Sequence, residues 1–87
     1  MYLHLGQDTV VPTDSIVGIF DMDNTTSSAI TRQFLKNATD KKQIVNVSDE
    51  LPKSFVICNE NGGTRVYISQ LAASTLLKRA ENNIIFK

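Results

Sequence analysis

The sequence predicts an α+β fold, in which a mostly antiparallel sheet of about six short strands packs against two helices. Short apolar or alternating runs are bounded by turn residues, two longer segments place apolar residues at helical spacing, and one turn contains paired glycines. The predicted order is β-β-β-α-β-β-β-α. A chain of 87 residues forms one small domain, and a core of this size is often supplemented by oligomerisation.

Three predicted strands precede the first helical pattern. Residues 1–5 alternate polar and apolar side chains and end at Gly6, and residues 9–11 form the second strand. Residues 15–22 are apolar on both faces, which is typical of a central strand. Gly18 in the middle of that strand indicates a bend or a close backbone approach.

The first helix is predicted at about residues 27–40, followed by two strands. The apolar side chains that would face the sheet fall on one helical stripe, namely Ile30, Phe34, Leu35 and Ala38. Residues 43–48 form a short strand after the helix. Residues 54–58 are continuously apolar, so we expect a buried strand there.

A hairpin turn is predicted at residues 59–63, because its two glycines supply positive φ angles. Residues 64–68 return as the partner strand. Ser69 is then expected to cap the second helix. The apolar stripe of that helix is Leu71, Ala72, Leu76 and Ala80.

The end of the second helix is predicted at Asn82 and Asn83. This places a single domain at residues 1–81 and a C-terminal tail at residues 82–87. The tail contains the apolar run 84–86, which is either frayed or packed against another subunit.

Composition narrows the possible functions. Cys58 is the only cysteine, so the chain has no internal disulfide and no cysteine-based metal site. It lies within an apolar run, where a buried and unreactive thiol is expected. His4, the only histidine, is expected to be an ordinary surface residue of a strand. No stretch approaches the roughly 18 apolar residues of a membrane span, so a cytoplasmic location is expected.

The charges are unevenly spread although their sum is zero. Four acids and no Lys or Arg precede Arg32, whereas nine basic residues and five acids follow residue 31. This pattern favours head-to-tail contact between subunits or a local basic face. A solvated surface of mixed charge gives the same pattern.

One short motif has the form of an enzymatic site. The spacing Asp21-x-Asp23-x-Thr25 after an apolar run resembles the first motif of the haloacid-dehalogenase-like phosphotransferases. Such an enzyme also needs Mg²⁺ and further acids, on a doubly wound domain longer than this chain. No second apolar strand ends in acids here. The motif is better interpreted as a strand-to-helix corner, and no catalytic residue, metal or cofactor is expected.

Several stretches together resemble the small bacterial extracellular-matrix (biofilm) regulatory proteins, over about residues 1–80. The stretches that carry the resemblance are Leu3-His4-Leu5-Gly6 before Val10-Val11, Ile16-Val17-Gly18-Ile19-Phe20, Ile44-Val45-Asn46-Val47, and Val66-Tyr67-Ile68-Ser69 running on to Thr75 and Arg79. The B-type branch matches more closely, since Phe20-Asp21-Met22-Asp23-Asn24-Thr25 stands between strand and helix.

This resemblance implies a non-enzymatic regulator of matrix genes. The A-type relatives are DNA-binding proteins whose subunits assemble into closed rings and wrap or bend DNA around them. A ring-shaped homo-oligomer and salt-dependent contact with DNA are therefore expected. No membrane and no small-molecule substrate are expected as partners. A protein-interaction subunit without DNA contact is the alternative.

The chain departs from the A-type pattern where those relatives carry DNA-contacting arginines. Residues 13–15 hold Asp14 but no arginine, and residues 48–52 hold two acids. Acids at such positions repel DNA, so a different basic surface, weak binding or a protein partner is implied. The candidate DNA-binding residues are Lys53, then Arg65 and Arg32, then Lys41 and Lys42. Lys53 and Arg65 are expected near each other, and the candidate subunit contacts are Asp21, Asp23 and Phe86.

Overall fold

The computed structural model describes residues 1–22 and 29–85, and of residues 30, 31 and 82–85 it describes the backbone alone. Strands and helices follow one another in the predicted order. They are β1 (Tyr2–Gly6), β2 (Thr9–Pro12), β3 (Ile16–Asp21), α1 (Ala29–Asp40), β4 (Ile44–Asn46), β5 (Ser54–Glu60), β6 (Gly63–Ser69) and α2 (Ala73–Ile85). A single 3-10 turn, Thr13–Ser15, joins β2 to β3.

The strands form two sheets, which corrects the prediction of one sheet. β1 and β2 make an antiparallel hairpin, and the other four strands are ordered β3-β5-β6-β4. Only the β4–β6 pair is parallel among these described strands. The hairpin is separate because Leu3, Leu5 and Val11 bury their side chains against the face of the larger sheet. It therefore adds a layer and does not extend the sheet.

β3 lies at an edge of the four-stranded sheet, so its prediction as a central strand was wrong. Its pairing with β5 shifts register between Ile16 and Gly18. This bulge leaves Val17 with 68% of its surface exposed. The strand is nevertheless apolar on both sides, because Ile19 packs into one core and Phe20 into the other.

Two cores lie on opposite faces of the four-stranded sheet. The first is closed by the β1–β2 hairpin and α2, and it contains Leu3, Leu5, Val11, Val47, Val56, Cys58, Tyr67 and Leu76. The second is closed by α1 and contains Ala38, Phe55 and Val66, with Leu35, Ile44 and Ile68 packed beside them. The predicted burial of residues 54–58 is explained by this position, since β5 has a core on each face.

The hairpin turn lies where it was predicted, but only one of its two glycines, Gly62, has a positive φ angle, and Gly63 is the first residue of β6. Asn61 and Gly62 both have positive φ angles, 52° and 79°. Two such residues in succession are what a two-residue turn of the I′ type requires, and this turn suits the twist of the flanking strands. The resulting register pairs Glu60 with Gly63 and Cys58 with Arg65.

α1 is described from Ala29 onward, so the predicted start at residue 27 lies outside the described residues. At its C-terminus Gln43 N–H donates to the Ala38 carbonyl over 2.8 Å, and Lys42 N–H donates to the Thr39 carbonyl over 3.0 Å. This is a Schellman motif in which Lys42, with φ 60°, takes the left-handed position usually held by glycine. Of the predicted stripe, Ala38 is buried whereas Phe34 remains 36% exposed.

α2 begins later and ends later than predicted. It starts at Ala73, because the Ser69 hydroxyl donates to the Leu5 carbonyl over 2.7 Å and accepts from Leu71 N–H over 3.0 Å. Ser69 thus ties the end of β6 to β1 and does not cap the helix. The helical backbone continues through Asn82 and Asn83 to Ile85. Similarly, β4 is shorter than the predicted strand at residues 43–48. Neither described helix has the length and apolar character needed to cross a membrane.

Candidate nucleic-acid interface

The four-stranded sheet has two ends that differ in charge. One end, here called the hairpin end, carries the Asn61–Gly62 turn, Arg65, and the C-terminus of α1 with the start of β4. The other, here called the loop end, carries Asp21 at the end of β3, the start of β5, and residues 47–53. The pairing of the strands places Arg65 at the hairpin end and Lys53 at the loop end.

The hairpin end carries cations that are far apart in the sequence. Val66 N–H donates to the Gln43 carbonyl over 2.9 Å, which joins the start of β4 to β6. Lys42 immediately precedes Gln43 in the sequence, and Arg65 immediately precedes Val66. Lys41 in turn precedes Lys42. All three side chains are exposed. Exposed cations of this kind attract phosphate groups.

Arg65 is paired with an acid of its own hairpin. Its Nε lies 3.7 Å from Glu60 Oε2, with 55% of the Arg65 side chain and 24% of the Glu60 side chain exposed. The Tyr67 hydroxyl donates to the same carboxylate, at 2.9 Å from Oε2 and 3.2 Å from Oε1. Burial, and after it the hydrogen bond to Glu60, raises the pKa of Tyr67, so this hydroxyl keeps its proton. A fixed carboxylate therefore stands beside the guanidinium.

Lys53 lies at the loop end, away from Arg65, so the prediction that the two are near neighbours was wrong. Lys53 N–H donates to the Ser69 carbonyl over 2.9 Å, whereas Arg65 pairs with Cys58 farther along the hairpin. Five residue steps along a strand separate their positions by about 16 Å. Asp49 and Glu50, both exposed, share the loop with Lys53.

Arg32 lies in the first half of α1 and is exposed. The helix runs from the loop end of the sheet to Lys41 and Lys42 at the hairpin end. Lys41, Lys42 and Arg65 thus belong to the hairpin end and Lys53 to the loop end. Arg65 shares the face of the first core with Tyr67, whereas α1, which ends just before the two lysines, packs on the opposite face.

The Asp-x-Asp-x-Thr motif is described only in part. Asp21 is half-buried at the end of β3, opposite Ser54. Asp23 and Thr25, and the candidate contact Phe86, lie outside the described residues. In residues 1–22 and 29–85, no three His, Cys, Asp or Glu side chains come together in a way that could hold a metal ion.

The two remaining reactive side chains have the environments predicted for them. Cys58 is completely buried, and this burial raises the pKa of its thiol above the ordinary value despite a hydrogen bond with Ser15. A thiol that keeps its proton is a poor nucleophile. His4 is exposed on β1, where its Nε2 lies 2.6 Å from the Gln7 carbonyl oxygen.

Glu60 and Tyr67 were not recognised from the sequence as part of this site. A signal for Glu60 exists, since the two-residue turn fixes the hairpin register and places Glu60 diagonal to Arg65 across the strands. Nothing comparable in the sequence indicated that Lys42 would lie at the same end of the sheet as Arg65. That placement depends on the parallel pairing of β4 with β6, strands that are separated in sequence by all of β5.

The structure is that of a small α+β domain with three exposed cations, Lys41, Lys42 and Arg65, at one end of its sheet. The family model described as RemA-like, "Extracellular matrix regulatory protein A-like", matches residues 2–80. The chain is also 44% identical over 81 residues to "Extracellular matrix regulatory protein B" of Bacillus subtilis (strain 168), covering 93% of this chain and 91% of that relative. The chain therefore belongs to the RemA-like family of extracellular matrix regulatory proteins, as its resemblance to that family had implied.

Proposed function

We propose that this protein is a homo-oligomeric, ring-forming regulator of extracellular-matrix genes that acts in association with DNA. Its family membership supports the regulatory role. The observation that supports DNA association is that the exposed Lys41, Lys42 and Arg65 all lie at the hairpin end of the sheet. DNA phosphates are the partner that this chemistry favours, without discrimination between base sequences.

The hairpin end is a better DNA surface than the loop end. At the loop end the exposed acids Asp49 and Glu50 share a short connection with Lys53, so their charges oppose the approach of phosphate. At the hairpin end three cations, Lys41, Lys42 and Arg65, stand against the exposed acids Asp14 and Asp40 and the paired Glu60. Its charges are thus balanced, whereas acids predominate at the loop end. This assignment moves the candidate surface away from the loop in which the A-type relatives carry their arginines.

Ring formation is supported by the two unlike edges of the four-stranded sheet. The outermost strands among the described residues are β3 and β4. Contact between β3 of one subunit and β4 of the next would be head-to-tail, and such contacts close into a ring when the rotation allows. The exposed Val17 lies on the β3 edge, and unpaired edges are a common route to association. Asp21, Asp23 and Phe86 stay candidate contacts in the same assembly.

Titration of a labelled duplex by fluorescence anisotropy, at about 50 mM and about 200 mM salt, tests the DNA function. The double variant Lys41→Gln, Lys42→Gln should bind at least about ten-fold more weakly at the lower salt, since phosphate contacts dominate such binding. The matched control, Lys36→Gln with Lys78→Gln, removes the same charge from exposed helix positions elsewhere and should bind as the wild type does.

Absence of wild-type binding at the lower salt would reject the DNA function. The second candidate, a protein-interaction subunit without DNA contact, would then be favoured. One observation supports that candidate, because Glu60 offsets the charge of Arg65. It predicts oligomers by light scattering together with no salt-dependent binding of the duplex.

A further inference from the structure

A buried residue, Tyr67, holds the Glu60 carboxylate in contact with Arg65. Tyr67 is only 7% exposed, and its hydroxyl donates to both oxygens of the Glu60 carboxylate. These two part-buried hydrogen bonds hold the carboxylate beside Arg65, which interacts with the same hydroxyl. Turning the carboxylate away from Arg65 would break both bonds, so Tyr67 favours the observed position of Glu60.

The ion pair between Glu60 and Arg65 is not explained by a contribution to the stability of the fold. The Arg65 side chain is 55% exposed, and the contact is a single Nε–Oε2 distance of 3.7 Å with no paired geometry. Exposed pairs of this kind contribute little to folding. The same carboxylate has a larger consequence for a phosphate that approaches Arg65, because it offsets the cation that the phosphate would contact.

The negative charge of Glu60 affects the three cations of the hairpin end unequally. Lys41 and Lys42 lie on the α1–β4 connection, whereas Glu60 lies at the end of β5 and pairs with Gly63 across the hairpin. The acid therefore opposes Arg65 directly and the two lysines less. Removing Glu60 should release one additional phosphate contact and leave the lysine contacts as they are.

We propose that Glu60 is a built-in counter-charge that restrains DNA binding at the hairpin end by occupying Arg65. This inference rests on the proposed DNA function and concerns the regulation of the same surface. Glu60 sets how tightly the surface holds phosphate, and Tyr67 fixes Glu60 in that position.

Glu60→Gln is the variant that tests the restraint. Glutamine retains an oxygen that accepts from the Tyr67 hydroxyl, and it removes the negative charge. The affinity for a labelled duplex should rise about three-fold or more at about 50 mM salt, and the plot of log K against log salt should steepen by about one unit. Glu50→Gln is the matched control, since it removes one exposed acid at the loop end and should leave the affinity unchanged.

A double-mutant cycle shows whether Glu60 acts through Arg65. In an Arg65→Gln background, the change Glu60→Gln should have little effect, because the cation that it frees is gone. Circular dichroism establishes that each variant is folded. If Glu60→Gln does not fold, the double variant Glu60→Ala, Tyr67→Phe takes its place with the same expected direction, since it also removes the hydroxyl that would lose its acceptor.

The outcomes separate this inference from the function on which it rests. If neither the wild type nor Glu60→Gln binds the duplex, the proposed DNA function fails and the restraint fails with it. If the wild type binds and Glu60→Gln binds no more tightly, the restraint alone is overturned. A rise with Glu50→Gln that equals the rise with Glu60→Gln would also overturn it, because the effect would then follow net charge and not the contact with Arg65.

Discussion

The ring of Phe20 stacks on that of Phe55, with centroids 5.2 Å apart and the ring planes inclined by 21°. The stack joins the edge strand β3 to the central strand β5 beneath α1. It depends on Gly18, because a Cβ at that position would lie 2.7 Å from two ring carbons of Phe20. The close approach that the sequence indicated at Gly18 is thus to an aromatic ring two residues farther along the same strand.

Gly18→Ala is expected to lower the free energy of unfolding by about 1–3 kcal/mol, the usual cost of forcing extra volume into a packed site. The Phe20 ring would have to leave its place on Phe55 to admit the methyl group. Gly63→Ala is the matched control, since its Cβ would meet only the Glu60 carbonyl at an ordinary 3.6 Å. Urea denaturation of both variants measures the difference. Equal stabilities would show that Phe20 adjusts without cost.

Local chemistry explains why the order of elements was predictable from the sequence. The Asn61–Gly62 turn fixes the β5–β6 hairpin through two positive φ angles, and the apolar run of β5 indicates burial on both faces. These signals lie within a few residues of the elements that they specify. The order of strands within the sheet has no such signal. β3 was expected at the centre because its apolar residues serve two different cores across a bulge at Val17.

The candidate site was only partly predictable for the same reason. Lys41, Lys42 and Arg65 were recognised as basic candidates, but their grouping depends on the parallel pairing of β4 with β6. Lys53 was placed with Arg65 because both adjoin strands of one hairpin. The predicted elements already place Lys53 before the strand at residues 54–58 and Arg65 beside the turn, and opposite ends of a seven-residue strand are far apart.

Ser69→Ala is expected to destabilise the fold by about 1–3 kcal/mol, because it leaves buried backbone groups without a partner. The Ser69 hydroxyl connects the Leu5 carbonyl to Leu71 N–H and is itself fully buried. Ser74→Ala, an exposed position near the start of α2, should change the stability by less than about 0.5 kcal/mol. Thermal denaturation of the two variants compares them. A Ser69 variant as stable as the wild type would contradict a linking role between β6 and β1.

The stability of the fold should decrease at alkaline pH through Cys58. Burial raises the pKa of this thiol, so in the folded state it holds its proton at pH values where the unfolded thiol has lost it. The folded chain then binds more protons than the unfolded chain, and the free energy of unfolding falls as pH rises above the unfolded value of about 8.5. Cys58→Ala should lose less stability than the wild type between about pH 7 and about pH 9.5. Denaturation curves with the same pH dependence in both proteins would contradict this account.

Assembly through the β3 edge should be blocked by Val17→Lys. Val17 is 68% exposed, so a lysine there costs the subunit little, whereas a charge at an edge strand prevents another strand from pairing with it. Val10→Lys is the matched control, because Val10 is 55% exposed on β2, outside the four-stranded sheet. Light scattering should give the mass of one chain for Val17→Lys and an oligomer for both the control and the wild type. Oligomers of equal mass in all three proteins would show that the β3 edge takes no part in assembly.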